Sequence, residues 1–147
     1  MRPDNSQYLM GSIATLIQCA TLPVLDDFNK KDLKTLALLN VMLTQDFDRS
    51  ADLCKSEVDA MSELLAQAKP LVSGELAEQI GNTTGQRADS LRLSALTSHH
   101  KSLCELLIAA QTQLETIDQA PALALNRSIW NYYQSSWRAR DYQISVG

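Results

Sequence analysis

The two histidines of the chain are adjacent, and one of them stands a single helical turn before a cysteine. His100 and Cys104 are four residues apart, so a helix places both side chains on one face. Imidazole and thiolate are zinc ligands, but a structural zinc site needs four ligands, and the other two would have to come from other helices. The sequence therefore predicts no metal and no cofactor. His100 and Cys104 are the weak candidate ligands if a metal is bound.

A row of acidic residues runs along the predicted second helix, and its members are Asp46, Asp48, Asp52, Glu57, Asp59 and Glu63. Two buried carboxylates with raised pKa values can perform acid–base chemistry. This spacing is more typical of a solvated helix face, on which Lys55 can reach Asp59. The sequence contains no nucleophile elbow and no glycine-rich phosphate loop. We therefore predict no catalytic residue, and we expect a protein that is not an enzyme.

Aromatic residues are concentrated near the C-terminus. Five of the eight aromatics fall between residues 130 and 142, with arginines interleaved. Tryptophan, tyrosine and arginine dominate the binding hot spots of protein interfaces. The predicted partner- or ligand-binding residues are Arg127, Trp130, Tyr132, Trp137 and Arg138. The alternative is that these aromatics close one end of a helical bundle, with Tyr133 and Trp137 pointing inward.

Composition excludes several classes of protein. The 147 residues are 45% hydrophobic and 20% charged, with a net charge of −4, which is ordinary for a globular domain. The few basic residues near the C-terminus cannot form a nucleic-acid footprint. Three widely spaced cysteines are typical of reduced thiols in a cytoplasmic protein. No stretch reaches the ~18 uninterrupted apolar residues of a transmembrane helix. A secreted or lipid-anchored protein is the alternative location.

Apolar residues recur at intervals of three and four along two long segments, which is the period of an amphipathic helix. The first set is Leu36, Leu39, Leu43, Phe47, Ala51, Cys54, Val58, Met61, Leu65 and Ala68. The second set is Leu93, Leu96, His100, Leu103, Leu107, Ala110, Leu114 and Ile117. Alternating strand patterns are missing. The sequence therefore predicts an all-α, up-down helical bundle with left-handed, coiled-coil-like packing.

Prolines and capping residues set the predicted helix limits. We expect one domain over residues 1–147, with helices at about 6–21, 29–69, 86–117 and 121–138 and a connector at 70–85. Asn29 is predicted to cap the second helix. Thr83 and Gln86 form a predicted capping box for the third helix, and Gly81 is predicted to end one or two helical turns at residues 75–80 of the connector.

The main functional prediction follows from the unequal lengths of the predicted helices. Helices one and four are too short to cover a long central antiparallel hairpin, so the tip at residues 54–96 is expected to expose apolar side chains. An exposed apolar patch usually marks an interface, and a twofold dimer is the commonest solution. The predicted interface residues are Val58, Met61, Leu65, Leu93 and Leu96. The alternative is that helix two breaks near Ser50 and the connector folds Leu71, Val72, Leu76 and Ile80 back over the tip.

Residues 13–25, IATLIQCATLPVL, and residues 36–43, LALLNVML, resemble a bacterial all-helical family. Its members are small proteins associated with aminoglycoside-phosphotransferase-like kinases and acyl-CoA metabolism. The resemblance covers about the first third of the chain and implies a non-enzymatic companion protein. No catalytic residue is carried over.

We therefore expect a non-enzymatic interaction or regulatory module that self-associates as a homodimer or binds a helical partner. The alternative is a helical bundle that binds a small ligand or a metal, with a pocket near His100, Cys104 and the C-terminal aromatics. That alternative includes catalysis.

Overall fold

A computed structural model describes residues 5–86, 90 and 92–142, with side chains from residue 7 onward. All regular secondary structure in that part of the chain is helical, which confirms the all-α prediction. The five helices are α1 (Asn5–Ala20), α2 (Asp27–Ala68), α3 (Glu75–Thr84), α4 (Leu93–Leu114) and α5 (Ala120–Ala139). None of these helices combines the length and apolarity needed to cross a bilayer.

The start of α2 is capped by an aspartate. The backbone N–H of Asn29 donates to Asp26 Oδ1 at 2.8 Å, and its side-chain amide donates to Asp26 Oδ2 at 2.8 Å. Asp26 thus accepts a backbone N–H of the first turn that has no partner within the helix. The prediction that Asn29 is the cap is wrong, because Asn29 is itself the residue whose N–H is capped.

The connector contains a true helix. Gly74 adopts a positive φ of 70°, a conformation that favours glycine, and α3 begins at the next residue. This helix passes through Gly81 and ends at Thr84, so the predicted stop at Gly81 is wrong. The predicted capping box is also wrong, because Thr83 lies inside α3 and α4 begins only at Leu93.

The chain divides into two compact units. The N-terminal unit comprises residues 1–50 and 142–147, and the C-terminal unit comprises residues 51–141. The C-terminal unit has a hydrophobic core drawn from all four of its helical segments and from the connector. Its buried members are Met61, Leu64, Leu65, Ala68, Val72, Ile80, Leu103, Leu107, Ala110, Leu114, Ala122, Leu125 and Ile129.

This core corrects the predicted interface at residues 54–96. Met61 and Leu65 are fully buried, and Leu96 is buried as well. Val58 is half-buried against the core, and Leu93 alone of the five is about half exposed. The expectation that these side chains lack cover within the chain is wrong. Val72 and Ile80 join the same core, as the alternative predicts for the connector, but α2 runs unbroken from Asp27 to Ala68, so the predicted break near Ser50 is wrong.

The N-terminal unit buries few hydrophobic side chains and exposes many. Among its described residues only Ile13, Ala20 and Ala37 are buried hydrophobics. Eleven large hydrophobics of this unit are substantially exposed, and they are Tyr8, Met10, Ile17, Leu22, Val24, Phe28, Leu36, Leu38, Leu39, Leu43 and Phe47. The α2 apolar set is predicted to point inward, and for its first four members, Leu36, Leu39, Leu43 and Phe47, this prediction is wrong.

Tyr142 belongs to the N-terminal unit, although its position in the sequence groups it with the α5 aromatics. Its hydroxyl donates to Asp46 Oδ2 at 2.7 Å. The guanidinium of Arg49 lies 5.1 Å from the centre of the Tyr142 ring, a cation–π distance. The hydrogen bond to Asp46, together with burial, raises the pKa of Tyr142.

Replacing Ile80 with alanine tests whether α3 is part of the core. Ile80 is fully buried, so Ile80→Ala should lower the free energy of unfolding by about 3 kcal/mol. Leu123→Ala, at an exposed position on α5, should lower it by less than about 1 kcal/mol. Urea unfolding monitored by the fluorescence of Trp130 and Trp137 measures both. Equal losses in the two variants would contradict the assignment of α3 to the core.

Candidate functional site

A buried carboxylate lies at the centre of the polar part of the C-terminal unit. Glu57 of α2 is only 5% exposed. Arg140, at the C-terminal end of α5, donates from Nε to Glu57 Oε1 at 3.0 Å and from Nη2 to Glu57 Oε2. The hydroxyl of Ser136, one helical turn earlier, donates to Oε1. A fork-shaped pair of bonds from arginine is the strongest way to hold a carboxylate.

The third helix at this carboxylate is α4. His100 Nε2 lies 2.7 Å from Glu57 Oε2. Burial raises the pKa of Glu57, but the hydrogen bonds from Arg140, Ser136 and His100 and the charge of Arg140 outweigh burial and hold that pKa below its usual value. An ionised carboxylate only accepts hydrogen bonds. His100 therefore donates from Nε2 to this carboxylate.

The imidazole ring of His100 lies against a thiol. Cys104 Sγ is 3.6 Å from His100 Nδ1 and 4.0 Å from Nε2, and the thiol donates to the sulfur of Met61 at 3.5 Å. Burial and the negative charge of Glu57 raise the pKa of Cys104, and the positive charge of Arg140 opposes them. The resting thiol is therefore protonated. The carboxylate, the imidazole and the thiol form a continuous chain of contacting groups.

An open cavity of about 500 Å³ lies beside this chain of groups. Its walls combine the polar residues with apolar and aromatic side chains of α4 and α5, and its lining residues are Glu57, His100, Cys104, Leu107, Ile108, Gln111, Tyr132, Tyr133, Ser136, Trp137 and Arg140. Burial raises the pKa values of both Tyr132 and Tyr133, so both phenols are protonated donors. Within the described part of the chain, neither hydroxyl makes a hydrogen bond.

Several of the predicted residues meet in this cavity. His100, Cys104, Tyr132 and Trp137 all line it. Trp137 is nevertheless 71% exposed, so the inward orientation predicted for it is wrong and it forms an outer edge of the cavity.

The other predicted binding residues lie apart from the cavity. Trp130 is about half exposed and contacts Tyr133 edge to face, with ring centroids 6.0 Å apart. Arg127 and Arg138 are exposed. These three residues do not line the cavity.

The residues that sequence reasoning missed are those that hold the carboxylate. Glu57 appeared as one of a row of solvated acids, whereas Ser136 and Arg140 were not singled out as site residues. The sequence did contain one signal that Glu57 is buried. Glu57 lies three residues after Cys54 and one before Val58, both members of the apolar set of α2. An acid beside an apolar helix face needs a cationic partner, and the arginines near the C-terminus were available to supply it.

The histidines face different environments. His99 lines a second cavity of about 730 Å³ with Lys55, Asp59 and Ser62, and Lys55 there forms an ion pair with Asp59 at 2.6 Å. No group of three or more metal-ligating side chains occurs among residues 5–86, 90 and 92–142. His100 and Cys104 thus supply at most two ligands from this part of the chain.

Comparison with known proteins finds no matching family, no similar curated protein and no similar solved structure. The resemblance of residues 13–25 and 36–43 to a kinase-associated family accordingly stays a prediction.

The Glu57 network should make stability depend on pH. Glu57→Gln should lower the free energy of unfolding by about 2 kcal/mol at pH 7, a value reduced for the solvent exposure of Arg140. Because the folded-state pKa of Glu57 is lowered, its contribution is present above about pH 4.3, the usual value for glutamate, and is lost as pH falls through the folded-state pKa. The loss caused by the variant should therefore shrink between pH 5 and pH 3, roughly the titration range of such a carboxylate.

Urea unfolding at each pH measures this difference. Glu63→Gln is the matched control, because Glu63 lies on the same helix and is exposed; it should change stability by less than about 0.5 kcal/mol. A loss for Glu57→Gln that is the same at every pH would contradict the ionised state assigned to Glu57.

Proposed function

We propose that this protein is a non-enzymatic helical interaction module that self-associates through its N-terminal unit. The observation that supports the proposal is the apolar stripe, defined here as Leu36, Leu39, Leu43 and Phe47 of α2. Each of these side chains is about half exposed, whereas the longer C-terminal unit has a buried core and exposes fewer large hydrophobics. Exposed apolar surface that is contiguous on one element usually marks an interface.

The spacing of the stripe suits a second copy of the same chain. Steps of three, four and four residues keep all four side chains on one helix face, and an antiparallel twofold pairing of two such faces is self-complementary. Residues 30–34 carry three lysines and one aspartate, whereas residues 46–49 carry two aspartates and one arginine. Antiparallel pairing brings these oppositely charged ends together, which sets the register of the pair.

The expected association is weak. Burying the exposed half of eight such side chains across a twofold interface yields on the order of 8 kcal/mol. Association itself costs roughly 4–15 kcal/mol, so other exposed apolar groups of this unit, such as Met10 and Ile17, must contribute for a stable pair. We expect a dissociation constant in the micromolar range, and a reversible dimer rather than a permanent one.

We also propose a reducing, cytoplasmic location for this module. The three cysteines are unpaired, and two of them, Cys19 and Cys104, are only half-buried. Accessible thiols of this kind persist where glutathione keeps them reduced.

Sedimentation equilibrium from about 10 to 300 µM, a range matched to weak association, tests the module. The wild-type chain should show a concentration-dependent rise from monomer towards dimer. Leu43→Glu places a charge in the centre of the stripe and should abolish that rise. Leu123→Glu, a similarly exposed leucine of the C-terminal unit, should leave it unchanged. A wild-type monomer at all concentrations, or equal dimerisation of Leu43→Glu, would refute self-association through the stripe.

The cavity of the C-terminal unit favours a second function, the binding of a small apolar ligand. Ligand sites are typically concave and mostly apolar with a few polar groups, and this cavity has apolar walls with two tyrosine hydroxyls. Its volume of about 500 Å³ lies within the usual range for small-molecule sites. We propose that it accepts an apolar aromatic molecule bearing a hydrogen-bond acceptor.

Titration with Nile red, a neutral aromatic dye, tests this second function. Ile108 lines the cavity and is itself about half exposed, so Ile108→Trp should narrow the cavity without disturbing the core. We expect dye affinity to fall at least about tenfold, equivalent to 1.4 kcal/mol. Leu123→Trp adds the same side chain to an exposed position outside the cavity and should leave the affinity unchanged. Equal affinities in both variants would show that the dye binds elsewhere.

A further inference from the structure

Gln111 of α4 places a buried amide on the wall of the cavity. Its side chain is only 9% exposed and lines the cavity beside Leu107 and Ile108. Both hydrogens of the amide nitrogen are used, because Nε2 donates to Glu115 Oε1 at 3.4 Å and to Asn126 Oδ1 at 3.3 Å. The carboxylate of Glu115 accepts hydrogen bonds, which assigns the nitrogen, rather than the oxygen, to this side of the amide.

The carbonyl oxygen of Gln111 lies on the other side of the planar amide. Glu115 is one helical turn after Gln111, so Nε2 is directed towards the C-terminal end of α4. Oε1 is therefore directed towards the preceding turn, where Leu107 and Ile108 line the cavity. Among the groups that the structure describes, none donates to Oε1, and this oxygen is not fully enclosed by protein atoms. A molecule in the cavity can therefore donate a hydrogen bond to it.

The rest of the cavity determines what such a molecule must look like. The protonated hydroxyls of Tyr132 and Tyr133 offer donors from α5, opposite the acceptor from α4. The ionised wall residues, Glu57 and Arg140, are paired with each other, so neither requires a charged ligand. A ligand that covers a polar wall group without bonding to it removes that group from water and gains nothing in return, so a site of this kind disfavours ligands that lack the matching group.

We propose that the cavity selects neutral aromatic ligands that carry an N–H donor as well as a carbonyl acceptor, and that Gln111 recognises the donor. The ligand N–H donates to Gln111 Oε1, the ligand carbonyl accepts from Tyr132 or Tyr133, and the rings contact the apolar walls. Gln111 is thus a specificity-determining residue. This inference rests on the second proposed function, that the cavity binds a small apolar aromatic molecule, and it adds a donor to the chemistry of that ligand.

Acridone and N-methylacridone test the role of the donor. Both are neutral three-ring aromatic compounds with the same carbonyl group, but only acridone has an N–H. Displacement of Nile red from the wild-type protein measures the affinity of each compound. Acridone should bind about tenfold more tightly than N-methylacridone, since the methylated compound leaves Gln111 Oε1 without a donor. A ring-methylated acridone that keeps the N–H controls for the size of the methyl group and should bind like acridone.

Gln111→Met tests which residue recognises the donor, because methionine lacks the acceptor and has nearly the same volume. The variant should bind acridone about tenfold less tightly and should not lower the affinity for N-methylacridone, so the preference disappears. Nile red has no N–H, and unchanged Nile red affinity shows that the variant retains the cavity. Gln113→Met is the matched control on the same helix, since Gln113 accepts from the backbone of Ser73 and does not line the cavity. It should retain the preference.

The outcomes separate this inference from the function on which it rests. Failure of Nile red to bind the wild-type protein overturns both. If Nile red binds but acridone does not displace it, or displaces it no better than N-methylacridone, the role of the donor is refuted while the cavity function stands. A preference for acridone that persists in Gln111→Met refutes the role of Gln111. Gln111→Leu, which also lacks the acceptor, provides the same test if the methionine variant loses Nile red binding.

Discussion

The buried carboxylate of Glu57 is the interaction on which the organisation of the C-terminal unit depends. A carboxylate that is only 5% exposed is stable only when its oxygens accept hydrogen bonds. Here His100, Ser136 and Arg140 donate those bonds. The same bonds hold the pKa of Glu57 low, so the group stays ionised and can only accept. That single fact makes Nε2 of His100 a donor and places Arg140 at the end of α5.

The two units differ in how much of their apolar surface they bury. In the C-terminal unit, α3 lies in what the sequence suggests is a connector, and Val72 and Ile80 complete a core around α2, α4 and α5. The N-terminal unit has few buried side chains and many exposed ones. The buried apolar core stabilises the fold. The exposed apolar surface is available for association with a partner. This division underlies the proposal that folding and partner binding use separate parts of the chain.

The cavity is lined both by the polar groups around Glu57 and by aromatic side chains of α5. Tyr132 and Tyr133 pack against the core and also against each other, with ring centroids 5.6 Å apart. Trp137 extends the aromatic surface outward into solvent. Cys104 and His100 line the same cavity. The structural and chemical roles of α5 therefore overlap: its aromatic rings cover the core on one side and line the cavity on the other.

The sequence by itself determined the helical class, the approximate limits of α1, α2 and α5 and the apolar face of α4, because these follow from local periodicity and from prolines that act within a few residues. It also placed His100 and Cys104 on one face, since a spacing of four residues is enough for that. Only the tertiary structure decided that Glu57 is buried, that Leu36 and Leu43 are exposed, and that Arg140 and Ser136 reach a carboxylate some 80 residues away in the sequence. The physical reason is that burial depends on which elements cover a face. Periodicity shows that a helix has an apolar face but not what lies against it.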